Sequence, residues 1–306
     1  MRRHLHKNER GMVLLIVLLV VALLVTITVE FAFSTLVDLR LAETYRDTTR
    51  ATYLAKGGIR VGRIILQEDG NGYDGLDETW AQGIESYPVA DGTVSIRVED
   101  LGGRLDLNRL VTAQGNIDPL FKDRFLRLLE LLEADDPETL SDSLIDWLDV
   151  DSDNNPAGAE NYYYRSQPEP YNCKNGPLDN LEELNLIKGY NRKLVQSLVP
   201  HVSAYGSAKI NINTASAEVL QSIAAEMDRN AAELIIDARN KQPFATLTQL
   251  KVLPGMETMY GFIYLYLDVK SSRYQIESTS FVNDGRRTIR ASIAKDGNRI
   301  LYKRVL

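Results

Sequence analysis

Cysteine is nearly missing. Cys173 is the only one in 306 residues, so no intramolecular disulfide is available and stability has to come from packing or from a bound metal. Histidine is almost as scarce: His4, His6 and His201 are the whole set, and two of them fall in the first six residues. That leaves little material for a histidine-based catalytic triad or a histidine-rich zinc site. No glycine-rich phosphate loop and no nucleophile beside a base is visible either, so an enzyme is not expected. Basic residues do not dominate. The formal charge is -7, and the first eleven residues hold Arg2, Arg3, Lys7 and Arg10 against Glu9, which makes the remainder more acidic still. A phosphate-binding surface is therefore not the main purpose of the chain, and no nucleic-acid partner is expected. Proline is absent before Pro88, and charge is absent from Met12 to Val29.

That uncharged run, MVLLIVLLVVALLVTITV, is followed after Glu30 by Phe31, Ala32 and Phe33. At ~1.5 Å per helical residue, Met12 to Phe33 spans a hydrocarbon core of ~30 Å. Basic residues precede it and mixed charges follow, which places the start in the cytoplasm and the bulk of the chain outside, in the periplasm of a bacterium, on a single pass through the inner membrane. A cleaved secretory signal would have a shorter core and an A-x-A-like site, and VEFAFSTLVDLRLAE offers none. A plain uncleaved anchor for an unrelated periplasmic binding domain is the alternative.

The helical pattern does not stop at the membrane. Leu36, Leu39, Leu41, Tyr45, Tyr53, Leu54, Ile59, Ile64, Ile65 and Leu66 recur between charges, and the spacing predicts one amphipathic helix over 12–67, roughly 80 Å long. Gly57, Gly58 and Gly62 weaken its end, each by ~1 kcal/mol relative to Ala if exposed. Its second half needs a partner sheet. Residues 68–92 read as a loop, TVSIRV at 93–98 as a strand, and RLDLN as a second extended piece. The last 33 residues hold three strand-like runs broken at Asn283-Asp284-Gly285 and Asp296-Gly297, the chemistry of tight hairpins. Between these groups the apolar spacing is helical. The expected organisation is a leader over 1–11, the long helix over 12–67, first strands of a small domain over 68–109, an inserted all-α domain over 110–270, and C-terminal strands over 271–306.

A basic leader ending at Gly11, directly before the apolar run, resembles the type IV prepilin and pseudopilin families. The resemblance implies cleavage by a prepilin peptidase between Gly11 and Met12, and methylation of the new amino terminus. Most members carry a carboxylate at the fifth mature position, and here that position is Ile16. An acid in lipid costs ~2.5 to 3.5 kcal/mol on translocon-insertion scales, and it persists where a neighbour's amine neutralises it. A chain with Ile16 offers no such acid, which suits a filament end.

The phrases GGRLDLNRL at 102–110, LIDWLDVDSD at 144–153, GAENYYY at 158–164, PLDNLEEL at 177–184 and INTASAEVL at 212–220 occur in an order that resembles the general secretion pathway protein K family, the large minor pseudopilins of type II secretion. The resemblance implies an α+β fold, a pilin-like long N-terminal helix on a small antiparallel sheet with a large all-α insertion. It also implies a place at the tip of a periplasmic pseudopilus, with minor pseudopilins I and J and the major pseudopilin as partners. A minor pilin-like tip protein of another filament system is the nearest alternative.

One loop has metal-ligand spacing. Asp149, Asp151, Asp153 and Glu160 occupy positions 1, 3, 5 and 12 of a twelve-residue frame, with Asn155 inside it. This is the frame of an EF-hand, whose hard oxygen donors suit calcium. Asn154 replaces the usual glycine at the turn, and Pro156 argues against a true EF-hand path. A solvated acidic loop is the alternative on the residues alone. The family resemblance implies two structural calcium ions in the helical domain; Asp146 and the acids of 176–183 are the candidates for the second. The KININ and TASAEVLQSI run, with Leu253-Pro254-Gly255-Met256, also resembles the helix-hairpin-helix of DNA-uptake proteins, but six basic and seven acidic residues between Lys209 and Lys270 make no field for a duplex. Trp80, Trp147 and the tyrosines of 161–165 are core or interface residues.

Overall fold

A computed structural model describes residues 9–306. Helix α1 runs unbroken over Glu9–Glu68. Residues 11–42 are exposed along their whole length, and the first buried side chain of the helix is Asp47. From there the buried face consists of Ala51, Ala55, Gly58, Ile59, Gly62 and Leu66. Ile59 and Leu66 are the large apolar residues on this face; others of the stretch point away, Tyr53 being 67% exposed. A stripe of small residues lets the rod lie close to the sheet. A Cβ on Gly58 would come within 2.1 Å of the Ser278 hydroxyl, and one on Gly62 within 2.9 Å of Ile276. These two glycines weaken the helix as the sequence suggests, and close helix–sheet packing is what requires them.

After the rod come a short helix α2 (Thr79–Gln82) and strands β1 (Ile84–Val89) and β2 (Gly92–Asp100). The stretch read as a loop thus contains an edge strand. It has no clear alternation because it pairs on one side only, carries Pro88, and loses register between Ile84 and Tyr87. Residues 101–272 then leave the sheet. Of RLDLN, only β3 (Leu105–Asp106) is extended, and Asp106 turns the chain by accepting from the Asn108 amide.

The insertion continues through α3 (Pro119–Leu131), α4 (Pro137–Leu148), α5 (Asn161–Arg165) and α6 (Arg192–Leu198) to β4 (Val202–Ser203), which pairs with β3. Asp118 and Asp136 cap the first two of these helices, each followed by proline at the first helical position. A second lobe holds β5 (Ile210–Asn211), α7 (Ala217–Ser222), α8 (Arg229–Lys241), α9 (Met256–Ile263) and β6 (Leu267–Asp268). Ser216 and Asp228 cap α7 and α8. The insertion has two cores rather than one. Phe125, Leu144 and Leu198 centre the first, and Ile212, Val219 and Ile235 the second. Two arginines of α3 join them, Arg127 donating to the Ser222 carbonyl at 3.0 Å and Arg124 to Ile223 at 3.3 Å, where the free carbonyls of α7 favour cations.

The chain returns as β7 (Arg273–Val282), β8 (Gly285–Ala294) and β9 (Arg299–Val305), giving one antiparallel sheet in the order β1-β2-β7-β8-β9. β2 and β7 are hydrogen-bonded neighbours although 172 residues separate them in the chain. The point of departure and return is fastened by two buried carboxylates. Asp100 accepts from the Gly102 amide at 2.6 Å, the Ser271 hydroxyl at 2.7 Å, the Asn211 amide group at 2.9 Å and the Thr214 hydroxyl. Asp74, from the loop after the rod, accepts from the Ser271 amide at 2.7 Å, the Lys295 ammonium at 3.0 Å and the Tyr274 hydroxyl. Burial raises the Asp100 pKa, and its four donors oppose that shift.

Removing one acceptor strands several buried donors at once. Asp100→Ala is expected to lower the stability of the detergent-solubilised chain by ~3 kcal/mol, read as a shift of the urea midpoint. Gly62→Leu is expected to destabilise it by at least as much, through the collision with Ile276.

Candidate functional site

Two surfaces carry the chemistry that the sequence singles out, the exposed rod and the acidic loop of the insertion. Gly11, Met12 and Ile16 all lie on α1, on its exposed stretch. Residues 1–8 of the leader, with His4 and His6, lie outside the described residues. The rod contains a segment long and apolar enough to cross a membrane, and none of it is buried. Its threonines hide their hydroxyls: Thr26 donates to the Ala22 carbonyl at 2.9 Å and Thr28 to Leu24 at 2.7 Å. With Ile16 in place of an acid, the rod is apolar as far as Glu30.

In the acidic loop the structure brings together Asp149, Asp151 and Glu160, with one carboxylate oxygen of each within 4.8 Å of the others. Asp149 sits at the end of α4, and Glu160 caps α5 through the Asn161 amide at 3.2 Å. The other two sequence candidates are placed elsewhere. Asp153 is exposed, and its amide donates to Asp151 at 2.9 Å. The Asn155 side chain turns its amide group to Asp146. Two residues join the cluster that the twelve-residue frame does not contain. Asp146 lies one helical turn before Asp149 on α4, and Asn175 comes from a separate turn, donating to the Asp151 carbonyl. The sequence offers Asp146 only as a candidate for a second ion, and Asn175 not at all, because the proximity of both to this loop is set by the fold.

The unsatisfied atoms of this cluster are all acceptors. Asp146 Oδ2, Asp149 Oδ1, Glu160 Oε1 and Asn175 Oδ1 are buried with no hydrogen-bond donor. Burial first, then the charges of Asp151, Asp146, Glu160 and Asp153, push the Asp149 carboxyl up to about 7. Burial likewise raises Glu160 and Asp146. Gathered oxygens without donors fit a hard divalent cation, and calcium above magnesium, since the loop mixes carboxylate and amide oxygens without a fixed octahedron.

A second acidic group provides the contrast. Asp69, Asp74 and Glu78 lie equally close, but Lys295 stands between Asp69 at 2.8 Å and Asp74 at 3.0 Å. Glu78 accepts from the Gly75 amide at 2.8 Å and the Trp80 indole at 3.0 Å. The protein supplies its own cation there. The acids of 176–183 are also partnered, Asp179 and Glu183 by Lys174 at 2.9 and 2.7 Å, and Glu182 by Arg304.

The aromatic residues divide. Trp147 and Tyr164 pack edge to face in the first lobe with centroids 5.3 Å apart, and Trp80 meets Tyr274 in the same way under the sheet, whereas Tyr162 is 90% exposed. Cys173 is buried, its thiol 3.4 Å from the Asp146 carbonyl. In the hairpin at Leu253-Pro254-Gly255-Met256, Gly255 takes φ +77° and Met256 is buried in the second core.

Comparison with known proteins accounts for this arrangement. Family models described as type II secretion system (T2SS), protein K, match residues 103–207 and 210–269, the spans of the two lobes. The type II secretion system protein K of Pseudomonas aeruginosa is 31% identical, over 78% of this chain and 75% of its own. That of Aeromonas hydrophila is 28% identical over 98% of this chain and 97% of its own. A chain in the crystal structure of the GspK-GspI-GspJ complex from the enterotoxigenic Escherichia coli type 2 secretion system shares the fold, with a TM-score of 0.70 and 20% identity over 88% of this chain and 99% of that one. Family models over both lobes and a relative 31% identical along most of the chain settle its membership: this chain belongs to the type II secretion system protein K family, and it is a minor pseudopilin of that system.

Proposed function

We propose that the chain is the tip subunit of a periplasmic pseudopilus, initiating or capping it together with minor pseudopilins I and J above a shaft of the major pseudopilin. The observation that carries this reading is the bare rod: residues 11–42 pack against nothing else among the described residues. A naked apolar helix of this length is stable either in lipid or against other helices. Prepilin peptidase would cut after Gly11 in the inner membrane, freeing Met12 for methylation. With Ile16 the subunit presents no carboxylate to a neighbour's amine, so it fits the end of a filament better than its middle. The composition of the crystallised complex that shares its fold supports pseudopilins I and J as its neighbours. The role is mechanical, without a catalytic site. Helices associate in the bilayer by close packing, and the insertion, standing beyond the sheet, blocks addition of further subunits.

Because Leu101 and Arg273 are already joined by a backbone hydrogen bond of 2.9 Å, residues 103–269 can be replaced by a short turn without opening the sheet. That variant is expected to insert in the membrane and to co-purify with pseudopilins I and J, while filament length or number changes. Wild-type filaments would refute capping by the insertion.

For the acidic loop we propose calcium, held by Asp149, Asp151 and Glu160 with Asp146 and Asn175 behind them. The ion would neutralise the mutual repulsion of these groups and tie the loop to α4, α5 and the turn at Asn175. At 100-fold excess over its dissociation constant such a ligand adds ~2.7 kcal/mol to stability. Asp149→Asn is expected to abolish the rise in melting temperature that calcium gives over chelator, and Asp153→Asn to leave most of it. The pH dependence has a definite sign. Without the ion, a carboxyl raised to about 7 binds more protons folded than unfolded, so the folded state loses stability as pH climbs from ~4 to 7. Calcium binds the ionised form, so its stabilising effect is expected to be largest above pH 7 and to fade toward pH 5. Equal melting temperatures in calcium and chelator at pH 7.5 would refute the site.

A further inference from the structure

One groove of the molecule is almost wholly apolar. It lies between α1 and the β1–β2 hairpin, has a volume of 360 Å³, and is lined by Tyr53, Gly57 and Val61 of the rod and by Ile84, Tyr87 and Val89 of β1. Tyr53, Gly57 and Val61 are spaced four residues apart, so the groove follows the helix axis for ~12 Å.

Gly57 is the informative residue. Its neighbours Gly58 and Gly62 face the sheet at distances that no side chain fits, but a Cβ on Gly57 would meet nothing within 4 Å. An exposed glycine inside a helix costs ~1 kcal/mol relative to alanine, and packing within this chain gives no reason for it. What Gly57 does is keep the floor of the groove open.

The sheet side of the groove does not invite a strand. β1 carries Pro88, its register breaks between Ile84 and Tyr87, and Ser86 and Ala90 take φ of 48° and 52°. Such an edge does not extend a ladder. The occupant therefore packs with side chains, and a straight groove two helical turns long, on the same rod that is bare below Asp47, fits a second helix.

Charge selects which helix. From Thr48 to Gln67 the rod holds four basic residues and no acid. Arg50 pairs with Asp91, and Arg63 donates to Asn298 at 2.7 Å. Lys56 and Arg60, each one position before a groove residue, have no acidic partner among the described residues; Lys56 lies 5.0 Å above the Tyr53 ring. A second copy of this chain in the same register would set these cations against their own kind.

Building on the reading of the chain as a pseudopilin, we propose that the groove seats the rod helix of a different pseudopilin subunit, one with an apolar ridge flanked by carboxylates, and that Gly57 is the hole for its largest apolar side chain. The test uses the full-length chain co-expressed with minor pseudopilins I and J. Gly57→Leu, which fills the hole, is expected to reduce co-purification of one of them at least tenfold while the melting temperature of the chain holds or rises. Lys56→Glu with Arg60→Glu is expected to give the same loss through charge reversal. Gly57→Cys, oxidised against single cysteines placed along the rods of the partners, is expected to cross-link to one rod at helical spacing, a readout that survives if the leucine variant misfolds. Undiminished co-purification of Gly57→Leu, or cross-links only between two copies of this chain, would overturn the groove proposal and leave the pseudopilin assignment standing. Failure of the unaltered chain to co-purify with either partner would instead sink the partnership on which the proposal rests.

Discussion

The molecule depends on a junction. An insertion larger than the sheet domain leaves and re-enters between two hydrogen-bonded strands, and a sheet opened in this way holds its register only if the two chain crossings are fixed side by side. Asp100 and Asp74 do this from within the protein. Between them they collect the end of β2, the start of β7, Asn211 and Thr214 of the second lobe and, through Lys295, the far end of β8. Each buried carboxylate has its desolvation offset by several donors, an arrangement in which loss of any one partner is felt by the rest. The sheet, the loop after the rod and the second lobe thereby meet in one hydrogen-bonded junction.

The rod is divided along its length and around its circumference. Below Asp47 it is exposed on every side. Above it, Ala51, Ala55, Gly58 and Gly62 face inward together with Ile59 and Leu66, while further apolar side chains face outward, so the helix is apolar on more than its core-facing stripe. The inward face is shaped by the sheet, with Gly58 and Gly62 allowing the backbone to approach Ser278 and Ile276. The outward face keeps Tyr53, Val61 and Ile64 exposed.

Much of this was legible in the sequence because the signals were long or local. Eighteen uncharged residues announce a rod, and Asn283-Asp284-Gly285 announces a hairpin. Others were hidden. The buried face of α1 is only partly visible in the apolar periodicity, which finds Ile59 and Leu66 but not the alanines and glycines that share the contact. β1 has no strand signature in the sequence because an edge strand with a proline lacks alternation. In the acidic loop, spacing identified the acids of one segment, but which of them converge depends on how α4 and α5 approach. Asn175, from a turn twelve residues beyond α5's Tyr163, has no local signature at all.

The exposed reach of α1 sets a clearance. If lipid covers Met12 to Phe33, thirteen residues remain before Asp47, a stalk of ~20 Å. With a headgroup layer of ~6 Å on that side, such a stalk would hold the head roughly 14 Å above the headgroups. A rod placed in this way could sink along the bilayer normal by a comparable distance before the head met the membrane surface, so the depth of the anchor in lipid is set by the rod's own sequence and not by contact between head and bilayer.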